Sequence, residues 1–169
     1  MRAFVSLAAY KSHLVTAWQF HLFLEGELSG MDWSGPGIDF VSRQKVWLLE
    51  QDLRVLGVPR PVVELGRAPR PRTDPAFAVG CLYVLEGATL GGQIISRHLA
   101  TLGIGPANGA LFFHGYGSRT GEMWKMFQAQ ADGYCVNDDQ IESAVHGARW
   151  TFEQFRDSML RTKAISDAP

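Results

Sequence analysis

The sequence predicts an all-α fold. Apolar residues recur at three- and four-residue spacing along its long segments, helix-capping signatures separate those segments, and no segment alternates with the period-two pattern of a half-buried strand. The first helix is expected to start at Ser6, whose hydroxyl can cap it, and to run to about Leu28. Leu7, Tyr10, Leu14, Ala17, Trp18 and Leu22 give it one apolar face, and Gly26, Ser29 and Gly30 mark its end. A punctuated loop follows from Met31 to Gly37.

A second helix is expected from Phe40 to Leu56, with Val41, Trp47, Leu48, Val55 and Leu56 on its buried side. Gly57 and Pro59 then give the usual glycine-after, proline-beyond ending. Val58 to Thr73 holds prolines at 59, 61, 69 and 71 and arginines at 60, 67, 70 and 72, so it cannot be a regular helix. It reads as a solvated connector, with reception of an anionic group as the alternative use of its arginines. Asp74 before Pro75 opens a long helix running to about Leu102, closed by Gly103, Gly105 and Pro106. Gly109 to Gly117 is aromatic and glycine-rich and suits a short helix and a tight turn. A fourth long helix is expected over Thr120–Ala131. The pair Asn137 and Gln140 then caps a last helix reaching about Lys163, with Ile141, Val145, Ala148, Phe152, Phe155 and Met159 inside. A short tail remains over residues 164–169, and residues 1–169 read as one domain.

Composition narrows the function classes. The chain has 169 residues, is 46% hydrophobic and 20% charged, and carries a formal net charge of −1. That balance gives no electrostatic case for a nucleic-acid or membrane-surface partner. Cys81 and Cys135, the two cysteines, have neither metal spacing nor a disulfide framework, which suits a reducing cytoplasm. No apolar run is expected to span a membrane, and Lys11 and His13 interrupt the N-terminal apolar stretch too early for a signal peptide.

The most informative segment is Tyr83-Val84-Leu85-Glu86-Gly87-Ala88-Thr89-Leu90-Gly91-Gly92, inside the long third helix. Three glycines there cost about 2–3 kcal/mol relative to alanine. Gly87 and Gly91 are four apart and share one face, so that face is bare. Either a second helix or a flat ligand can lie against its backbone. Glu86 stands beside the glycines, and two readings are open for it: a functional carboxylate, or an interhelical partner for an arginine. Of the five histidines, His13 and His21 lie on the first helix, His98 returns to the glycine face, His114 is in the aromatic turn and His146 is on the last helix. No pair has metal-ligand spacing on one helix, and the chain has no zinc-protease, phosphate-loop or nucleophile-elbow motif.

Residues Tyr83 to Ile95 strongly resemble the distal-helix signature of bacterial heme oxygenases, of the type found with bacterial phytochromes. Ser6–Tyr10 through Phe20–Glu25 resembles that family's second helix. Phe112–Gly117 with Gly121, Trp124 and Phe127 is similar to the segment after the distal helix, and Ala148–Phe152 with Phe155 to the last helix. The resemblance implies an all-α domain that holds heme against a distal helix and opens it to biliverdin, iron and carbon monoxide, with electrons from an external reductase. It implies that Gly87, Gly91 and Gly92 line the distal face, with Ala88 between them and Tyr83 near the heme edge. Animal relatives place an aspartate where this chain has Ala88, so proton delivery would fall to Thr89 or Glu86. The resemblance starts at the family's second helix, so no residue here matches the proximal histidine of its first; His13 is the nearest substitute. The alternatives are a non-catalytic scaffold, pairing with a second copy to cover its apolar groove, and an enzyme of the same fold acting on another small molecule.

Overall fold

The protein is described here from a computed structural model over residues 6–59 and 74–166, with side chains through residue 161. Among these residues there are six α-helices: α1 (Leu7–Leu28), α2 (Val46–Val55), α3 (Pro75–Thr101), α4 (Leu111–His114), α5 (Thr120–Tyr134) and α6 (Asp138–Ser166). Short 3-10 turns precede α2, α4 and α5, and no strand occurs among the described residues. The all-α expectation holds. The proposed connector falls largely on residues 60–73, and the end of the tail on 167–169, outside the described residues.

Helix α3 is the centre of the molecule and packs against α4, α5 and α6, while α1 packs against α2 and α6. One buried cluster joins Phe20, Leu24 and Leu28 of α1 to Phe77, Leu82 and Leu85 of α3 and Phe127 of α5. A second joins Tyr10, Leu14 and Trp18 of α1 to Leu49 and Leu53 of α2, Leu99 of α3 and Phe113 of α4. The starts of α1 and α3 follow the sequence: the Ser6 hydroxyl accepts from the Ala9 amide at 3.1 Å, and the Asp74 carboxylate from the Ala76 amide at 3.0 Å. At α6 the Asn137 carbonyl oxygen of the side chain accepts from the Gln140 amide at 2.9 Å, while the Gln140 side chain reaches back to the Val136 amide at 3.2 Å.

Two other helix starts are capped from a distance. Glu25 of α1 accepts from the Lys45 amide at 2.9 and 3.0 Å and from the Val46 amide at 3.1 Å, so α1 caps α2. Asp52 of α2 accepts from the Leu111 and Phe112 amides at 2.8 Å each, so α2 caps α4. Each satisfied start is worth about 1 kcal/mol. Here the caps also fix how successive helices meet.

The second helix differs from its expected extent. Residues Val41–Arg43 form a 3-10 turn, Gln44 is extended, and the α-helix starts only at Val46. Its buried side is Leu48, Leu49, Asp52 and Leu53, whereas Val41, Trp47 and Val55 are exposed. The break lets Arg43 and Lys45 both turn inward, which one continuous helix would not allow. The last helix is also rotated from its expected face. Its buried positions are Gly147 and Thr151, with Ala144, Trp150 and Phe155 half-buried, and Ile141, Val145 and Phe152 are exposed. It runs through Ser166 rather than ending near Lys163. The expectation that no segment could span a membrane by composition also needs correction. α3 is long and apolar enough by those two measures, but half of its most apolar window is buried in the fold.

The rotation of α6 has a steric cause. A Cβ on Gly80 of α3 would collide with the Ala144 carbonyl, and one on Gly147 of α6 with the Phe77 carbonyl. The two helices therefore cross backbone against backbone, a contact that only glycine permits. Gly147→Ala should force them apart and lower stability by at least about 2 kcal/mol in urea unfolding, although alanine favours isolated helix. An unchanged midpoint would show that the crossing is looser than described.

Candidate functional site

Gly80, Gly87, Gly91 and His98 of α3 fall within about 40° of one another around the helix axis, at 100° per residue. They form one stripe with two halves. The first is covered by α6 at Gly80. The second is open: Ala88 and Gly91 are exposed, as are Leu90 beside them and Ile94, at 67%. A Cβ on Gly91 would meet no atom within 4 Å. Internal packing therefore does not account for glycine at that position.

Of the other predicted residues, Gly87 and Tyr83 border this opening, whereas Gly92 does not. Gly87 is half-buried, with the Trp124 ring of α5 at 3.8 Å from where its Cβ would stand. The Tyr83 ring, half-exposed, meets Trp124 edge-on at 5.1 Å, so an aromatic corner borders the stripe. Gly92 is buried and faces α4, where its Cβ would lie 3.4 Å from Phe113. Thr89 also turns inward and donates its hydroxyl to the Leu85 carbonyl at 2.9 Å. Neither Thr89 nor Glu86 is presented on the open half of the stripe.

Glu86 lies on the far side of α3, 2% exposed, and its carboxylate is fully engaged. Arg43 Nη1 donates to it at 2.7 Å, Lys45 Nζ at 2.5 Å and the Tyr116 hydroxyl at 2.7 Å. Arg43 also donates to the Met123 carbonyl at 3.3 Å and lies over the Phe127 ring at 5.5 Å. Burial lowers the Lys45 pKa, opposed by the Glu86 charge; burial and then Glu86 push the Tyr116 hydroxyl upward. Removing one partner from such a cluster leaves a buried charge uncompensated and costs about 3–5 kcal/mol. Of the two readings of Glu86, the arginine partner is the one observed. Arg43 and Lys45 were not singled out from sequence, and Tyr116 and Trp124 entered only through the family resemblance, with no role at Glu86 or the stripe. The available signal was Glu86 itself, the one acidic residue between Asp74 and Glu122, placed amid apolar residues.

The histidines are dispersed. His13 is half-buried on α1, stacked on Phe113 at 5.9 Å and edge-on to Phe155 at 6.4 Å. Phe113 thus separates it from Gly92. His21 is buried, with Nδ1 at 2.7 Å from Glu25. His98 is exposed at the far end of the stripe, and His146 lies 3.9 Å from Glu142 on α6. Among the described residues no three histidine, cysteine or acidic side chains come together as a metal site.

Burial lowers the His13 pKa from 6.5 to about 4, so its imidazole is neutral at pH 7. The folded state then resists protonation that the unfolded chain accepts. Its contribution to stability is complete above pH 6.5 and is lost as pH falls from there to about 4. The loss should be about 2–3 kcal/mol, and His13→Phe should remove that part of the pH dependence. Urea midpoints at pH 7.5 and pH 4.5 check this; parallel losses in both proteins would mean that His13 protonates freely in the fold.

The heme oxygenase family profile matches residues 1–161. The chain is 34% identical over 113 residues to a heme oxygenase of Xanthomonas campestris pv. campestris, covering 67% of this chain and 66% of that protein. It is 33% identical over 89 residues to heme oxygenase PigA of Pseudomonas aeruginosa, covering 53% of this chain and 45% of that one. The aligned part thus amounts to less than two thirds of the length of either relative. The NO- and CO-bound heme oxygenase of Neisseria meningitidis has the same fold, with a TM-score of 0.82 at 21% identity over 95% of this chain and 79% of its own. An all-α fold with a half-covered glycine stripe, matched by a family profile along nearly its whole length, makes this chain a member of the heme oxygenase family.

Proposed function

We propose that the open half of the α3 stripe receives a face of heme, and that the chain serves the oxidative opening of heme to biliverdin, iron and carbon monoxide with electrons from an external reductase. The observation that carries this reading is Gly91. It is exposed in a helix interior, nothing inside the fold lies within reach of an added Cβ, and it bears a helix-propensity cost of about 1 kcal/mol. A planar substrate lying on the backbone explains why no side chain stands there.

The residues fit a porphyrin face in shape and chemistry. Gly87, Ala88 and Gly91 keep the surface low, and Leu90 and Ile94 add exposed apolar contact on the same side of α3. Tyr83 and Trp124 supply aromatic area at one border. When bound, heme supplies both the iron centre that activates dioxygen and the ring that is opened. The chain's part is to hold the ring, keep bulk water off one face and leave room at the glycines for a small diatomic. Ala88 has no hydrogen-bonding side chain, so any polar contact at that position would fall to the backbone and to water. Burial pushes the Cys81 thiol up to about 11, so it stays protonated at neutral pH and takes no part at the stripe.

Titration with hemin, followed at the Soret band, tests the reading. The wild type should give a saturable shifted band that decays to a biliverdin spectrum under reductant and oxygen. Gly91→Leu should weaken hemin uptake by about tenfold or more while leaving far-ultraviolet helicity intact. Gly91→Ala should stabilise the apoprotein by about 0.5–1 kcal/mol. Hemin uptake unaffected by Gly91→Leu would remove the stripe as the heme face.

A further inference from the structure

The six apolar residues expected inside α6 are spaced four, three, four, three and four apart: Ile141, Val145, Ala148, Phe152, Phe155 and Met159. That is a two-position heptad seam, about 27 Å long at 1.5 Å per residue. The fold does not bury it. α6 meets α3 through Gly147 and Thr151, leaving Ile141 47%, Val145 42% and Phe152 61% exposed, with Ala148, Phe155 and Met159 half-buried. Phe155 is partly engaged with Phe20 of α1, at 5.1 Å between ring centres.

We propose that this seam pairs with the same seam of a second copy, the two α6 helices running antiparallel about a two-fold axis between Ala148 and Phe152. The sizes match in that register alone. Ala148 lies opposite the Phe152 of the second copy, twice across the axis; Val145 lies opposite Phe155, and Ile141 opposite Met159. Small residues face large ones in the two central layers, which is how facing helices interdigitate without voids.

The flanking charges agree. Glu142, Arg149 and Arg156 follow the seam along the edge away from the Gly147 contact and point to solvent. In the antiparallel register Glu142 of each copy lies beside Arg156 of the other, giving two opposite-charge contacts. Arg149 of each copy meets the other near the axis, with Glu153 of either copy close enough to offset them. A parallel pair would instead set these residues against Asn137, Ala144 and Thr151, which carry no charge. Among the described residues of one copy Glu142 makes a long contact to His146 at 3.9 Å, and Arg156 pairs with its neighbour Asp157 at 3.1 Å, so both can be redirected. The pairing is isologous and closes at two copies.

Sedimentation equilibrium on the heme-free protein, from about 1 to 100 μM, tests the proposal, since an interface of this kind gives micromolar affinity or better. The wild type should dimerise. Phe152→Asp, a change at an exposed position that leaves the fold intact by circular dichroism, should raise the dissociation constant on the order of a hundredfold. Glu142→Arg should raise it about tenfold, and adding Arg156→Glu should restore it, because the reversed pair again meets across the axis. A monomer throughout the range overturns the proposal. A dimer indifferent to Phe152→Asp overturns the surface, and a failure of the double exchange to rescue overturns the antiparallel register. None of these readouts involves hemin, so they fail or succeed independently of the heme reading.

Discussion

The architecture depends on one buried carboxylate. Glu86 sits in the middle of the longest apolar helix, and in that position it must be neutralised or it cannot be there. Its three donors arrive from segments that would otherwise have no reason to converge: Arg43 from the turn before α2, Lys45 from the α2 start and Tyr116 from the turn before α5. The helix that sequence periodicity extends from Phe40 is broken at Gln44 for this reason. Two cations on either side of one residue can both reach the same carboxylate only if the chain between them is extended. Glu25 then supplies acceptors to the amides that the break exposes. The same pinning fixes the rotation of α3. With Glu86 held inward, the residues half a turn away, Ala88 and Gly91, are turned out.

Glycine serves two opposite purposes along that helix. At Gly80 the missing side chain admits the backbone of α6; at Gly91 nothing from the chain takes up the space. The first use is internal and accounts for itself. The second is an opening facing outward, and it is the part of the fold that the heme reading explains. A covered glycine and an open one thus share one stripe, separated by the point at which α6 leaves α3.

Much of this was legible in the sequence, and the failures have a common cause. The starts of α1, α3 and α6 are written in local capping chemistry, and each is found where Ser6, Asp74 and Asn137 place it. The glycine face was legible because helical spacing is local too. What local pattern could not show was how a helix is turned against its neighbours. Periodicity assigns the apolar side of α6 to the core, because large side chains usually face it. In the structure the helix turns its smallest residue inward, since Gly147 and Gly80 permit backbone contact that no larger pair could match. Likewise Arg43 and Lys45 look like ordinary solvated cations until a carboxylate 43 and 41 positions away is seen to need them.

The tight crossing and the exposed seam follow from each other. Seven-residue periodicity puts Ile141, Val145, Ala148, Phe152 and Met159 on one side of α6, and Gly147 lies about 100° to 160° around the axis from most of them. A helix that meets its neighbour through glycine brings the axes close and contacts it over a narrow strip. Side chains that far around the axis then project past the neighbour and cannot share its core. Had α6 packed by its large residues, α3 would stand further away and the covered half of the glycine stripe would be open as well. The close crossing therefore closes one end of the stripe and leaves the other end open, and it turns the apolar side of α6 outward.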